Sequence, residues 1–312
     1  MFVISGVNDK LWNQFEFIKY LVANQHRIIE LNIVSEAVDL ENLGVYQLLD
    51  LFEFKQVIIN TCNPFEKHNQ FEIRLIDPTF WFNKIINIDS ELHSWTQEKI
   101  FMCMYHRPTA GRLALAGHLN KNYNEQSIIH FSCDTHDNSL IHFEFDKLLS
   151  YDTASVESAA DLLKFFPILQ SGRDRHTKSN GYDYSDPLTL LYKHILVDIV
   201  GETHVSGRTF FPTEKTTRPI LLKKPFITFA SRNYMLYLRQ LGFQTFNEFW
   251  DEDYDGFETR DRLLKIYQLV NDIANQPIDI LEDMYQRMQP ILYHNYNLLM
   301  TQSYNRNLTE IS

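Results

Sequence analysis

Strand-sized apolar runs alternate with helix-period segments from the first residues onward, an alternation that few folds accommodate. Residues 1–4, 27–33 and 56–60 read as strands, separated by residues 12–23 and 43–52, whose apolar side chains recur at helical spacing. The same order returns at 99–104, 111–119 and 127–133, and residues 197–200 add another apolar run. Consecutive strands joined through a helix pair parallel rather than as a hairpin, so the expected class is α/β with parallel sheets. A chain of 312 residues exceeds what one core usually serves, and 44% hydrophobic with 14% aromatic residues supplies two. The break belongs near 172–181, where glycine, serine and charge replace the apolar pattern of 159–169. This gives an N-terminal domain over 1–172 and a C-terminal domain over 182–277. Residues 260–274 and 278–300 are helical in pattern, and 278–312 reads either as a plain core helix or as one that returns to the first domain.

Residues 195–255 are chemically the densest part of the chain. An apolar strand over 197–200 runs into a polar loop over 202–212, which is bounded by Gly201 and contains Gly207, and then into a helix over 213–222 that opens on Thr213 and Glu214. The first turn of a helix carries unpaired N–H groups and a partial positive charge, and Arg208, Lys215 and Arg218 add full charges beside it. The expected ligand carries phosphate. A second reading takes Thr213 and Glu214 as ordinary capping residues, with Lys215 and Arg218 on a solvated face.

Several short motifs stand in fixed order through this stretch. Glu202-Thr203 ends the strand, and Thr213-Glu214-Lys215-Thr216 opens the helix. Pro219-Ile220 and Pro225-Phe226-Ile227 follow, then the Leu-Gly-Phe-x-Thr-Phe segment at 241–246 and the Trp-Asp-Glu-x-Tyr-Asp run at 250–255. Together they resemble the donor-binding segment of GT-B glycosyltransferases related to the alpha-1,3-fucosyltransferases and, more closely, glycosyltransferase-like proteins of phage and large-virus genomes. The resemblance is strong over this segment and weak in the N-terminal half. It implies two Rossmann-like domains facing a cleft, with C-terminal helices, and transfer of a sugar from a UDP- or GDP-sugar donor to a hydroxyl acceptor without a prosthetic group. By the same resemblance Glu214 holds the nucleotide ribose and Lys215 the diphosphate, and Glu202, Arg208 and Thr213 complete the donor set. Arg107, Pro108 and Arg112 are similar to an Arg-Pro pair and second arginine in the phage proteins. That similarity implies guanidinium groups on the donor diphosphate or on a charged acceptor.

The acceptor side is expected in the N-terminal half, where polar residues follow strands at 8–9, 63–68, 105–112 and 134–137. Inverting transfer needs a general base for the acceptor hydroxyl, and Glu66, Asp134 and His136 are the candidates; a retaining enzyme requires none. No Asp-x-Asp motif precedes the donor segment, so no metal is expected, and the acidic run at 251–253 reads as a solvated turn. Acceptors divide into a glycan, lipid-linked sugar or protein, and the hydroxymethylated base of phage DNA as a target for glucosyl or arabinosyl transfer. DNA requires a positive groove, with Arg107, Arg112 and the cluster Arg173, Arg175, His176 and Lys178 as its members. That cluster reads equally as an interdomain linker. A net charge of −11 argues against a general nucleic-acid binder. A protein that binds a sugar nucleotide or glycan without chemistry is the competing class. Cys62, Cys103 and Cys133 are odd in number and lack metal spacing, which suits reduced thiols. Residues 1–6 read as a buried strand rather than a signal, and with no membrane span apparent the expected location is the cytoplasm, the host's if the gene is viral.

Overall fold

In the computed structural model, residues 2–4, 14–33, 38–76, 93–131, 147–166, 168 and 187–309 are described. They gather into two compact units, one over Met1–Phe80 with Ser206–Phe211, the other over Trp81–Val205 with Pro212–Ser312.

The first unit is built on β1 (Phe2–Ile4), α1 (Gln14–Ala23), β2 (Ile28–Ile33), α2 (Val45–Leu49), β3 (Gln56–Thr61) and β4 (Glu72–Leu75). All its strands are parallel, in the order β1-β2-β3-β4, with Leu31 opposite both Phe2 and Ile59. Side chains alternate across a strand, so Ile29, Leu31 and Ile33 share a face with Val57 and Ile59. That face is covered by Phe17 and Leu21 of α1 and by Val45, Tyr46 and Leu49 of α2. The other face is polar, and Asn60 donates there to Glu30 at 2.7 Å and also to Asn32. Helix α2 is shorter than the periodic stretch 43–52 because Gly44, at φ +73°, turns the chain before it. Strand β4, mostly exposed at the sheet edge, alternates Glu72 and Arg74 with Ile73 and Leu75 and is not among the strands expected from sequence.

The second unit contains β5 (Phe101–Tyr105), α3 (Ala110–Tyr123), β6 (Ser127–Phe131), α4 (Thr153–Leu163), α5 (Pro187–Leu190), β7 (Val197–Gly201), α6 (Glu214–Leu221), β8 (Phe226–Phe229), α7 (Tyr234–Gln240), α8 (Thr259–Ala274) and α9 (Ile278–Thr309). Its sheet is also parallel, in the order β6-β5-β7-β8. Every residue of β6, β7 and β8 is buried, the signature of a parallel sheet covered on both faces. Helices α3 and α4 approach closely at Gly117, where a Cβ would lie 2.7 Å from the carbonyl carbon of Ser158. On the same helix His118 stacks on Tyr267 of α8 at 4.1 Å between ring centroids.

The division expected at 172 is drawn differently here. Phe101 and Met102 of β5 pair with Val197 and Asp198 of β7, so strands assigned to separate domains share one sheet. Apolar runs report burial but carry no record of which run lies beside which. Residues 206–211 join the first unit, the stretch 172–181 lies outside the described residues, and α9 belongs to the second unit, where it packs on α6. Among the described residues no helix is long and apolar enough to cross a membrane.

Candidate functional site

From β5 the chain of the second unit passes through α3 to β6 on one side, and later occupies β7 and β8 on the other. Connections leaving in opposite directions open a crevice outside the carboxyl ends of the two central strands, the usual ligand position in such sheets. Here those ends are Tyr105 and Gly201. Helices α3 and α6 begin just beyond them, with Thr109 and Thr213 at the N-cap positions, and of the two it is Thr213 whose side chain caps.

Glu202, 1% exposed, organises this crevice. Its Oε1 accepts from the Thr213 amide at 3.0 Å and from Thr216 Oγ1 at 2.6 Å, with the Tyr234 hydroxyl at 3.2 Å. Its Oε2 accepts from Thr213 Oγ1 at 2.7 Å and from the Thr203 amide at 3.3 Å. A carboxylate offers about four lone-pair positions, and these are occupied. Glu202, expected among the donor ligands, therefore acts as the tether that fixes the amino terminus of α6 to the end of β7. Thr213 performs the capping role, accepting from the Lys215 amide at 3.3 Å.

Arg112, 4% exposed, does comparable work from α3. Its Nε donates to the Gly201 carbonyl at 3.0 Å, Nη2 to that of Glu202 at 3.2 Å, and Nη1 to that of Arg107 at 3.3 Å. The guanidinium thus stitches the ends of β5 and β7 together. Burial pulls its pKa down, against the opposing pull of Glu202 and Tyr105. Gly201 is required for this fit, because a Cβ there would stand 2.9 Å from Arg112 Cγ and 3.1 Å from Tyr105 Cε1. Arg107 itself is exposed.

Lys215 and Arg218 do not lie on a solvated face. Lys215 Nζ donates to Thr213 Oγ1 at 2.9 Å and Thr203 Oγ1 at 3.3 Å, and pairs with Glu214 at 3.0 Å. Burial alone would raise the Glu214 carboxyl, but Lys215 and Arg218 outweigh it and hold it low. Burial would likewise lower Arg218, yet Tyr192, Asp198 and Glu214 keep it above the usual arginine range. Asp198, 3% exposed on β7, accepts from the Tyr192 hydroxyl, and burial pushes its carboxyl up to about 6 against the pull of Tyr192 and Arg218. Cations and carboxylates thus alternate from Asp198 through Arg218 and Glu214 to Lys215. Asp198, Tyr192 and Tyr234 were not candidates from sequence, although an aspartate inside a wholly apolar strand run signals a buried partner.

Glu66 and Arg208 belong to the first unit. Glu66 follows β3, is 9% exposed and accepts from the Leu40 amide at 3.0 Å. Burial pushes its carboxyl up to about 7, with Asp39 adding to the rise and the Leu40 amide and Tyr46 opposing it. It lines a cavity of about 340 Å³ together with Asn63, Lys67, His68 and Phe71. His68 stacks with the rings of Tyr46 and Phe71, at centroid distances of 4.5 and 4.2 Å. Its Nδ1 accepts from the Gln70 amide at 3.2 Å, so in the neutral ring Nε2 carries the proton. Arg208 contributes its backbone, which donates to Asp39 at 2.7 Å and accepts from Asn63 at 2.8 Å, and its side chain is exposed. It is grouped with Asn63 and Asp39 rather than with the amino terminus of α6.

Asp134 and His136 lie outside the described residues, as do Arg173, Arg175, His176, Lys178 and Cys133. Cys62 and Cys103 are buried. The acidic run at 251–253 is not simply a solvated turn. Glu252 is buried, accepting from the Phe246 amide at 2.8 Å and Arg239 Nη1 at 2.9 Å, while Asp251 accepts from the Asp253 amide at 2.7 Å. Among the described residues no three His, Cys, Asp or Glu side chains converge as a metal ion would require. The second unit is thus an α/β sheet protein with a charge-rich crevice at its topological switch point. No protein-family model matches the chain, and no curated protein matches it in sequence.

Proposed function

We propose that this chain is a glycosyltransferase that moves a sugar from a nucleotide-sugar donor to a hydroxyl acceptor. The observation that supports the reading is the crevice at the ends of β5 and β7, where the amino terminus of α6 meets Lys215 and Arg218. Amide groups, a helix dipole and fixed cations in one place are the chemistry of a diphosphate site. In this reading Lys215 and the first amides of α6 take the diphosphate, Glu214 the ribose hydroxyls, and Arg107 an outer phosphate oxygen. Glu202 and Arg112 position these groups without touching the donor. The second unit holds the donor and the first serves the acceptor, as the two Rossmann-like domains of GT-B enzymes divide the work.

Glu66 is the general base. A carboxyl titrating at about 7 combines an adequate unprotonated fraction at neutral pH with a stronger drive to take a proton than an ordinary glutamate has. Asp134 and His136 remain the other candidates. The acceptor is a glycan or protein in preference to modified DNA, for which a net charge of −11 is poorly suited.

A thermal-shift panel of UDP, GDP, CMP and their sugar conjugates tests the donor site. A ligand at a hundredfold excess over its Kd stabilises the folded state by about 2.7 kcal/mol. One nucleotide class should shift wild type and fail to shift Lys215→Ala. Turnover separates an enzyme from a binding protein: Glu66→Gln should retain the shift and lose transfer, whereas a non-catalytic protein shows the shift and no transfer in either form.

A further inference from the structure

Glu66 and Glu202 are both buried carboxylates, but they are satisfied very differently. Donors from Thr203, Thr213, Thr216 and Tyr234 fill the positions around Glu202. Glu66, 9% exposed, accepts one hydrogen bond among the described residues, from the Leu40 amide to Oε2 at 3.0 Å. The buried Tyr46 hydroxyl stands nearby without completing a hydrogen bond. Oε1 is therefore left without a donor, and because it is not sealed inside the protein it opens on the cavity of about 340 Å³ that Glu66 lines. Buried carboxylates normally collect several donors, so an open oxygen beside a cavity marks a ligand position.

His68, two residues on, supplies the complementary group. Its Nδ1 is occupied by the Gln70 amide, so Nε2 carries the proton of the neutral ring, and among the described residues that N–H has no acceptor and is not sealed off. Stacking on Tyr46 and Phe71 fixes the direction in which it points. Asn63 also lines the cavity but is fully engaged: Nδ2 donates to the Val38 and Arg208 carbonyls, and Oδ1 accepts from the Phe65 amide. The cavity thus presents one open acceptor, Glu66 Oε1, and one open donor, His68 Nε2–H, with Phe71, Ile73 and Leu75 as apolar surface and Lys67 exposed beside them.

That pair selects the chemistry of the ligand. An amine cation could satisfy Glu66 but offers nothing for the His68 N–H to bond, and an anion is repelled by the Glu66 carboxylate. A hydroxyl compound meets both. A hydrogen bond from His68 to the reacting oxygen itself would occupy the lone pair that must attack, so the productive arrangement places His68 on a second oxygen of the same ligand. A volume at the lower end of the roughly 300–1,000 Å³ of small-molecule clefts suits a single ring. We propose that this cavity binds the acceptor as a sugar ring, one hydroxyl donating to Glu66 Oε1 and a second oxygen accepting from His68 Nε2–H, which makes His68 an acceptor-binding residue. This rests on the reading of the chain as a glycosyltransferase with Glu66 as its base, and it narrows the acceptor from glycan or protein to glycan. In the transfer the first hydroxyl oxygen bonds to the anomeric carbon, its proton passes to Glu66 Oε1, and the nucleoside diphosphate leaves with the electron pair of the bond that breaks.

The test titrates the full chain with the methyl glycosides of glucose, galactose, mannose and N-acetylglucosamine, followed by ligand-observed NMR and by the histidine ring resonances. The His68 signal is identified among the 12 histidines by its loss in His68→Phe, or in His68→Gln if the first variant does not fold. At least one glycoside should bind saturably and move that signal. His68→Phe keeps a ring to stack and removes the N–H, and should weaken that glycoside roughly two- to tenfold, the range of one lost neutral hydrogen bond. His68→Gln, which keeps an N–H donor, should lose less, and both variants should keep the wild-type thermal shift with nucleotide. Three outcomes overturn the proposal: a His68 signal that no glycoside moves, glycoside binding that His68→Phe leaves unaltered, or tighter binding of N-acetylthreonine amide or 5-hydroxymethyl-2′-deoxycytidine than of every glycoside. A nucleotide shift without glycoside binding sinks the acceptor site alone, whereas glycoside binding at His68 without any nucleotide shift upholds the sugar site and sinks the glycosyltransferase reading.

Discussion

A buried carboxylate can serve as a tether or as a titrating group, and Glu202 and Glu66 show both uses. Glu202 is surrounded by donors from Thr203, Thr213, Thr216 and Tyr234. Glu202→Ala leaves several of them without an acceptor and should cost roughly 3–5 kcal/mol, the scale of breaking a buried charged network, measured by urea unfolding. Lys215→Ala, at a side chain 17% exposed, should cost less than Glu202→Ala while abolishing the nucleotide-induced shift. Equal losses for the two substitutions would contradict the division into tether and ligand. Glu66 has a folded pKa of about 7, and Asp198 one of about 6, both above the roughly 4 of a free carboxyl. The folded state therefore binds these protons more tightly than the unfolded chain does. Their contribution is fully present below about pH 4 and is lost as pH rises through 6 and 7. Glu66→Gln should flatten the fall of Tm across that interval, and transfer by the wild type should rise with pH near 7. The identity of the candidate cations was legible in sequence because a helix start followed by basic residues is a local pattern. The saturation of Glu202 was not, since its partners come from a loop, two helices and 32 residues of separation.

At the level of elements, contact distances decide which glycines are replaceable. Gly117 lets α3 lie against the backbone of α4, and Gly117→Ala places a Cβ 2.7 Å from Ser158 C and 2.8 Å from the Ala159 amide. Backbone cannot move aside as a side chain does, so a loss of about 1–3 kcal/mol is expected, read from the urea midpoint. Because α3 also supplies Arg112, the same substitution should weaken nucleotide binding through displacement of the β5 and β7 ends. Gly256, with nothing within 4 Å of an added Cβ, is the control and should tolerate alanine. The existence of most helices and strands follows from periodicity within a short window. Strand β4 escaped because it is short: Ile73 and Leu75 alternate with Glu72 and Arg74, but over four residues only. The acidic run at 251–253 escaped for a different reason: Glu252 is buried by Arg239 and the Phe246 amide, which no local pattern announces.

For the whole molecule, charge and unit structure set the expectations. With a net charge of −11, retention on immobilised duplex DNA should vanish at physiological salt; retention that persists there would favour the modified-base acceptor over a glycan. Hydrogen exchange with a bound nucleotide should slow at the amino terminus of α6 and at the ends of β5 and β7 in the second unit. The sequence by itself determined the α/β class, because strand-sized apolar runs alternating with helix-period segments follow from local burial. It also placed Lys215 and Arg218 on one helix, because Thr213 to Lys215 is a local helix-start pattern, whereas Arg208 joins the first unit. Only the tertiary structure decided that β5 and β7 lie side by side, that residues 206–211 join the first unit, and that Glu202 and Arg112 are occupied by the protein itself. Those outcomes depend on which buried strand satisfies the backbone of which other and on hydrogen bonds between residues far apart in the chain, and neither leaves a mark on local sequence pattern.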